Sequence, residues 1–147
     1  MLLQGSTTID APCEQVWQCL TDAERVSRCA PGVESYEVIE SARLFRITAR
    51  IGFGTLRLKF LIDVEWLDMH APSHGTMRAH GTASGNTADV TTEMQLIELD
   101  GDQTQLTWSA NVMLSGTLAT SAPHMIGNAA HKMAAAFFDC VKGEVRK

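Results

Sequence analysis

The chain has 147 residues and a net charge of −5, with 45% apolar and 20% charged residues. This length suits one folded domain with a real core, and the ordinary balance of apolar and charged residues excludes a disordered or coiled-coil chain. The negative charge argues against nucleic acid as a partner, because a nucleic-acid binder needs cations that neutralise phosphates.

The N-terminal segment MLLQGSTTIDAP lacks a basic leader followed by a long apolar run, and no stretch reaches the roughly 18 consecutive, predominantly apolar residues of a membrane-spanning helix. We therefore expect a cytoplasmic protein. The cysteines form no C-x-x-C pair, and in that compartment we expect reduced thiols packed as small apolar side chains. They are Cys13, Cys19, Cys29 and Cys140.

A strand and two short helices are the first predicted elements. Residues 2–10 are rich in Thr and apolar residues and end at an Ala-Pro pair, which predicts a strand. Apolar residues over 16–20 then recur at helical spacing, and a second short helix runs from Thr21-Asp22 to about residue 28. The segment Cys29-Ala30-Pro31-Gly32 ends that helix, since Pro disfavours helical conformation in the residue before it.

From residue 33 apolar and polar residues alternate over about eighty residues, which is typical of an antiparallel sheet with one buried face. Six further strands are predicted, at 33–40, 43–51, 55–68, 74–84, 87–99 and 104–115. Turn residues separate these strands at Glu40-Ser41, Gly52 to Gly54, Ala71-Pro72-Ser73, Gly85-Asn86 and Asp100-Gly101-Asp102.

A helical period returns near residue 118 and predicts a long helix over 118–145, in which Pro123 either begins the regular part or kinks it. Its apolar stripe consists of Leu118, Ala122, Met125, Ile126, Ala129, Met133, Phe137, Cys140 and Val141. This stripe is the available cover for the apolar face of the sheet. The sequence therefore predicts an α+β, helix-grip fold in a single domain over 1–147: a seven-stranded curved antiparallel sheet around a long C-terminal helix, with two short helices after the first strand.

A ligand cavity between the sheet and the helix is one of two interpretations of the inward-facing residues. Along 74–84 these residues are small after Met77, and the facing helix stripe is also rich in alanine. Small residues on both sides either let the two elements approach closely or leave empty volume between them. Methionines and aromatic residues on the inward face suit an apolar ligand, although each such residue is more often plain core.

The sequence contains no catalytic or metal-binding motif with a defined geometry. His74 and His80 fall on the outer face of their predicted strand. His124 and His131 lie two helical turns apart, about 10 Å, which is too far for two ligands of one metal. The sequence predicts no catalytic residue, no metal ion and no cofactor.

Four stretches of the sequence resemble one known family. They are Leu3-Gln4-Gly5 with Ala11-Pro12-x-x-x-Val16-Trp17, Arg28-Cys29-Ala30-Pro31-Gly32-Val33-Glu34, Gly81-x-x-x-Gly85, and Lys132-Met133-Ala134 before Phe137-Phe138. The second is the most specific: it is similar to C-[IV]-P-G-C-x-x-[FYL], with departures at Ala30 and Val33. Over nearly its full length the chain resembles the CoxG family of carbon monoxide dehydrogenase subunits, within the START-like, birch-pollen-allergen-like superfamily.

The resemblance implies a non-catalytic accessory protein that serves a molybdenum hydroxylase of the carbon monoxide dehydrogenase type. It implies an apolar, quinone-like or lipid-like small molecule in an internal cavity, and peripheral contact with the inner face of the cytoplasmic membrane. We expect Pro31 and Gly32 at the mouth of this cavity and empty volume beside Gly81. The full set of expected ligand-binding residues is Pro31, Gly32, Phe45, Phe60, Ile62, Met77, Ala79, Gly81, Met94, Trp108, Met125, Ala129, Met133 and Phe137.

Functions of different classes stay open. The first is a carrier or adaptor that holds the apolar ligand and docks on the hydroxylase. The second is an enzyme of the same superfamily, a cyclase or dehydratase, which would use a polar residue in the cavity for acid-base chemistry. A buried His, Asp or Glu with a shifted pKa in the cavity would favour the enzyme. A structural interaction protein with a filled core is the third.

Overall fold

The computed structural model contains the predicted strands and helices in the predicted order. It describes residues 1–53, 55–121 and 123–146, with all their side chains except those of residues 53, 56, 121 and 123–125. Gly54 of a predicted turn, Ala122 of the predicted helix stripe, and the Met125 side chain therefore lie outside the described residues.

The observed elements differ from the predicted spans by a few residues at most. The first three elements in chain order are β1 (Leu2–Ile9), α1 (Cys13–Leu20) and α2 (Ala23–Cys29). The strands that follow are β2 (Val33–Glu40), β3 (Leu44–Phe53), β4 (Leu56–His70), β5 (His74–Ala83), β6 (Asn86–Leu99) and β7 (Gln103–Gly116). The C-terminal part consists of α3 (Thr117–Ser121) and α4 (Pro123–Glu144).

Over the described residues, the seven strands form one antiparallel sheet in the order β1-β7-β6-β5-β4-β3-β2. Strands β2 to β7 pair with their neighbours in the chain, whereas β1 pairs with β7 and places Leu3 opposite Ala110. The sheet edges are therefore β1 and β2, and α1 and α2 connect these two edges. The predicted helix-grip arrangement is confirmed.

The turn from α2 into β2 depends on a cap and a glycine. Asp22 caps α2, because its carboxylate accepts hydrogen bonds from the backbone N–H groups of Glu24 at 2.9 Å and Arg25 at 3.4 Å. Gly32 has a φ of +80°, and a Cβ there would clash with the carbonyl oxygen of Arg50. Glycine at this position lets the turn lie directly against β3, where the Arg50 N–H donates to the Gly32 carbonyl at 2.9 Å.

The predicted long helix corresponds to α3 and α4. Residue 122 between them lies outside the described residues, so the alternatives given for Pro123, a start or a kink, stay predictions. Along α4, Ile126 is buried and Ala129, Met133 and Phe137 are half-buried, whereas residues 131–132 are exposed. The predicted stripe is confirmed for these side chains. None of the helices in the described ranges is long and apolar enough to span a membrane.

The position of α4 leaves space over the centre of the sheet. In the described part of the chain, its backbone approaches β1 and β3 more closely than the strands between them, and it also packs against α1 and α2. A helix that rests on strands near both margins of a curved sheet cannot also close on the central strands. Side chains fill the space near the start of α4, but not all of it further along.

A disulfide joins Cys29 at the end of α2 to Cys140 in α4, with the two Cα atoms 5.3 Å apart. The expectation of four reduced thiols is therefore wrong for this pair. The cysteines lie 111 residues apart in the chain, and only the packing of α2 against α4 brings them together. Cys13 and Cys19 are free, and burial raises the pKa of the Cys19 thiol, which keeps it protonated at neutral pH.

Candidate functional site

A cavity of about 200 Å³ lies between the inner face of the sheet and the helices α1, α2 and α4. Strands β3 to β7 form its floor, and the second half of α4 forms much of its cover. The lining residues are Leu20, Thr21, Ala23, Val26, Phe45, Trp66, Met77, Thr92, Met94, Trp108, Ala110, Ala134, Phe137 and Phe138. The cavity thus lies where the helix stands away from the central strands.

Aromatic rings form one wall of the cavity. The ring centroid of Phe138 lies 5.6 Å from that of Trp108 and 5.2 Å from that of Phe137, the second pair in an edge-to-face arrangement. Gly5 leaves room for the side chain of Trp108, because a Cβ on Gly5 would lie 3.0 Å from the indole ring. Flat rings held in this way offer broad apolar contact area at fixed positions.

The polar side-chain groups on the described cavity lining are the hydroxyls of Thr21 and Thr92 and the indole N–H groups of Trp66 and Trp108. The Thr21 hydroxyl already donates a hydrogen bond to the Trp17 carbonyl at 2.8 Å. No titratable side chain occurs among the described lining residues. A lining of this kind offers a small molecule mainly shape and apolar contact, with little capacity for acid-base chemistry.

A second depression of about 290 Å³ lies at the surface and adjoins the cavity. The two share four lining residues, Thr21, Ala23, Phe45 and Trp66. The rest of this depression lies between the start of α2 and the turn from β2 to β3, and includes the charged residues Asp22, Glu24, Glu40 and Arg43. We call this depression the mouth of the cavity. Its rim is charged and its inner end is apolar.

The structure brings five of the sequence-predicted residues together on the cavity wall. They are Phe45, Met77, Met94, Trp108 and Phe137. Their role in binding a ligand belongs to the function proposed below.

Most of the other predicted residues lie outside the cavity. Phe60 belongs to an apolar cluster with Leu118 and Ile126 near the start of α4, and Ile62 and Ala129 pack against it. Ala79 packs against the cluster of Phe45, Ile47 and Val64. Met133 is half-buried and does not line the cavity. Side chains occupy the part of the interface in which the sequence suggested empty volume.

Gly81 does not face empty volume. A Cβ on Gly81 would lie 3.2 Å from Cγ1 of Ile62 and 3.3 Å from Cδ1 of Phe60, both on neighbouring β4. These distances are tighter than ordinary van der Waals contact. The small residue here permits close packing, so the expectation of a void beside Gly81 is wrong.

Pro31 and Gly32 do not lie at the mouth of the cavity. They line a separate surface pocket of about 500 Å³, which also includes Ala136 of α4. That pocket shares no described lining residue with the cavity, so the expected gating role of this turn is not supported. The depression defined above as the mouth lies at the opposite, N-terminal end of α2.

Several lining residues were not found from the sequence. Leu20, Ala23 and Val26 come from the short helices, which the sequence did not associate with the cavity. Ala110, Ala134 and Phe138 complete the set on β7 and α4. The helical period of α1 and α2 gives their inward side, but nothing in a single sequence shows how far along the sheet they lie.

Comparison with solved structures shows the same fold over the whole chain. A conserved protein from Geobacillus kaustophilus matches with a TM-score of 0.92 at 23% identity, covering 99% of this chain and 95% of that one. The Zhui aromatase/cyclase from Streptomyces sp. R1128 matches with a TM-score of 0.75 at 18% identity, covering 99% and 93%. A START superfamily protein from Mycobacterium smegmatis has a TM-score of 0.75 at 12% identity, covering 99% and 97%. At these identities the likeness shows a START-like fold.

Comparison at the level of sequence families gives a more specific result. Residues 5–146 match the family model for CoxG, which is described as a subunit of carbon monoxide dehydrogenase. Among curated proteins, none matches the sequence significantly.

Proposed function

The chain belongs to the CoxG family of carbon monoxide dehydrogenase subunits, and on that basis we propose that it is a non-catalytic accessory protein that holds a quinone-like ring in its cavity. Its partner in this proposal is a molybdenum hydroxylase of the carbon monoxide dehydrogenase type, to which it would bring the apolar electron acceptor. The observation that carries the proposal is the apolar cavity of about 200 Å³ between the sheet and α4.

The volume of the cavity favours a ligand with one ring. An engineered apolar cavity of about 150 Å³ is enough to bind benzene, and sites for drug-sized ligands begin at about 300 Å³. A cavity of about 200 Å³ therefore suits a single substituted ring. The flat faces of Trp108 and the two phenylalanines of α4 provide the stacking partners for such a ring.

The mouth of the cavity gives a longer ligand a way out. A quinone carries its alkyl tail on the ring, and a tail too long for the cavity must leave it. Ala23, Phe45 and Trp66 line both the cavity and its mouth, so the two adjoin along apolar side chains. In the proposed complex the ring lies inside and the tail passes between the start of α2 and the turn from β2 to β3. Contact of this rim with a membrane surface would let the tail be exchanged, and belongs to the same proposal.

An enzyme acting on an apolar substrate in the same cavity is the alternative. The likeness to an aromatase/cyclase favours it. Acid-base catalysis at neutral pH needs a group with a suitable pKa, and the polar side-chain groups of the described lining are threonine hydroxyls and indole N–H groups only. This lack of a titratable group is why we prefer the carrier.

Quenching of tryptophan fluorescence by decylubiquinone tests the carrier, because Trp66 and Trp108 lie on the cavity wall. Ala134→Phe adds a ring inside the cavity and should lower the affinity at least tenfold. Ala135→Phe adds the same ring at an exposed neighbouring position and should change the affinity less than twofold. Absence of saturable quenching in the wild type, or equal effects of the two substitutions, would overturn the proposal. Melting temperatures of both variants report whether the fold is retained.

Native mass spectrometry separates the carrier from the enzyme. Protein purified from its own cells should retain a quinone at one molecule per chain, and that mass should disappear in Ala134→Phe. Recovery of another cyclised or dehydrated small molecule would support the enzyme. Co-elution of the chain with the molybdenum hydroxylase on size exclusion, with and without the quinone, tests the proposed partner.

A further inference from the structure

Three side chains that can ligate a metal meet at the hairpin between β4 and β5, and none of them lines the cavity. They are Asp68, His70 and His74, and their ligand atoms all lie within 4.8 Å of one another. All three residues are exposed. His70 Nε2 is 3.0 Å from the Asp68 carboxylate, and the ring centroids of the two histidines lie 4.3 Å apart in a stacked arrangement.

Strand geometry explains why these side chains converge. Asp68 and His70 are two residues apart on β4, so their side chains point to the same face of the sheet. His74 pairs directly with His70 across the hairpin, and directly paired residues also share a face. The turn between them is closed by Ser73, whose backbone N–H and hydroxyl donate to the His70 carbonyl at 2.8 and 3.1 Å. The histidine pairs considered from the sequence lie along single elements, so this pair across a turn was missed.

The base of the hairpin is fixed to the core. Gly75, the residue after His74, is buried, and a Cβ on it would lie 2.8 Å from the Trp66 ring and 3.2 Å from the Trp17 ring. On the other side, the Leu96 N–H donates to the Ser73 carbonyl at 2.7 Å, which ties the turn to β6. The backbone that carries the three side chains is therefore held on both sides, and only side-chain rotation is needed to bring the ligand atoms closer.

The distances and ligand types fit one class of ion. Bonds of about 2.1 Å to a single metal place neighbouring ligand atoms about 3.0–3.4 Å apart, which Asp68 and His70 already satisfy. Imidazole and carboxylate together suit zinc and its neighbours among the first-row transition metals, whereas calcium and magnesium prefer oxygen ligands alone. Asp68 and His74 also line a broad depression of about 730 Å³, which leaves room for the further ligands of the ion.

We propose that Asp68, His70 and His74 bind a divalent transition metal ion, with zinc as the reference ion, at the tip of the β4–β5 hairpin. Three protein ligands hold the ion, and the remaining coordination positions face solvent, where water or a group from another molecule completes the set. None of the three residues lines the cavity, so the metal site does not depend on the ligand proposed there, although the depression beside the site shares Met94 and Trp108 with the cavity wall.

Calorimetric titration of the full chain with zinc chloride, after removal of metals by a chelator, tests this site. We expect one zinc ion per chain in the wild type, and at least tenfold weaker binding in His70→Gln and in His74→Gln. His80→Gln is the matched control, since His80 lies on the same strand, is equally exposed, and has one carboxylate partner, Asp89 at 2.6 Å, with no second histidine. It should bind zinc within twofold of the wild type.

Zinc should also raise the melting temperature of the wild type and of His80→Gln, but not that of His70→Gln or His74→Gln. Because the substituted side chains are exposed, all variants should melt together without zinc. A Cys13→Ser variant measures binding by the partly exposed thiol. Loss of the zinc effect in that variant, retention of it in His74→Gln, or no binding by the wild type would each overturn the proposal.

Discussion

The position of Trp108 on the cavity wall depends on a neighbouring glycine, Gly5. Gly5 on β1 lies beneath Trp108, and a Cβ there would come within 3.0 Å of the indole. Gly5→Ala must therefore displace the ring from its position on the cavity wall. We expect lower stability by about 1–3 kcal/mol and weaker binding of decylubiquinone, measured by urea unfolding and by fluorescence quenching. Gly143→Ala in α4 is the control, because nothing lies within 4 Å of its added methyl group. It should leave binding unchanged, and equal effects of the two would argue against a steric role for Gly5.

Gly81 lies in a packed part of the interface, whereas the sequence predicted empty volume beside it. Its position against Phe60 and Ile62 has no room for four more carbons. We expect Gly81→Leu to destabilise the protein by about 1–3 kcal/mol through overpacking, while quinone binding in the folded fraction stays near the wild-type value. Thermal unfolding and fluorescence quenching on the same samples measure both. A stabilised variant that no longer binds the quinone would instead show that the cavity extends to Gly81.

A surface ion pair on the outer face of the sheet sets one part of the pH dependence of stability. The Arg46 guanidinium donates to the Asp63 carboxylate at 2.7 Å, and this hydrogen bond lowers the pKa of Asp63 from its ordinary value of 3.8. A carboxyl group with a lower pKa in the folded state stabilises the fold above its unfolded pKa, and loses this effect as the pH falls through the folded pKa. Asp63→Asn should therefore cost a small amount of stability at pH 7 and progressively less in acid. Urea unfolding at several pH values checks this, and a difference independent of pH would contradict it.

At the scale of elements, the disulfide holds together two walls of the cavity. Ala23 and Val26 of α2 and Ala134, Phe137 and Phe138 of α4 line the cavity, and the bond joins the same helices close to these residues. The polar contact from Arg28 Nη2 to Glu144 Oε2, at 3.1 Å, lies beside it. Reduction should therefore loosen the cover of the cavity as well as lower the stability of the fold.

We expect the Cys29→Ser, Cys140→Ser double variant to lose about 2–5 kcal/mol of unfolding free energy. Quinone affinity should also fall, because α4 is less firmly held over the cavity. Dithiothreitol should bring the wild type to the same melting temperature as the double variant and leave the variant itself unchanged. A reductant that shifts both proteins equally would show that the bond is not the cause.

The elements themselves could be predicted because each has a clear period. The alternation of β4 and the apolar stripe of α4 each specify a face to be buried, and the turn residues between strands mark where the period changes. The bond between Cys29 and Cys140 could not be predicted, because a pairing across 111 residues depends on how two helices pack, and no local pattern records it.

At the scale of the whole molecule, the sequence predicted which residues face inward but not where the interior is hollow. Phe45, Met77 and Trp108 face inward as expected and line the cavity, while Phe60 and Ala129 face inward and are packed. The difference arises from the placement of α4, which is close to other side chains near its start and stands away from the sheet further along. The alternation of inward and outward side chains is a property of a single strand, whereas the distance between the sheet and the helix is set by the complete fold.

The Cys29–Cys140 bond also changes the topology of the chain as a mechanical object. It closes a covalent ring from residue 29 to residue 140 that contains β2 to β7 and most of α4, and it leaves β1, α1 and most of α2 on an open tail. A force applied at the two ends can extend only the tails, to about 120 Å, whereas the reduced chain can extend to about 500 Å. Single-molecule stretching should show this difference in contour length. Under load the oxidised protein can thus release its first strand and short helices while the rest of the sheet stays tethered within the ring.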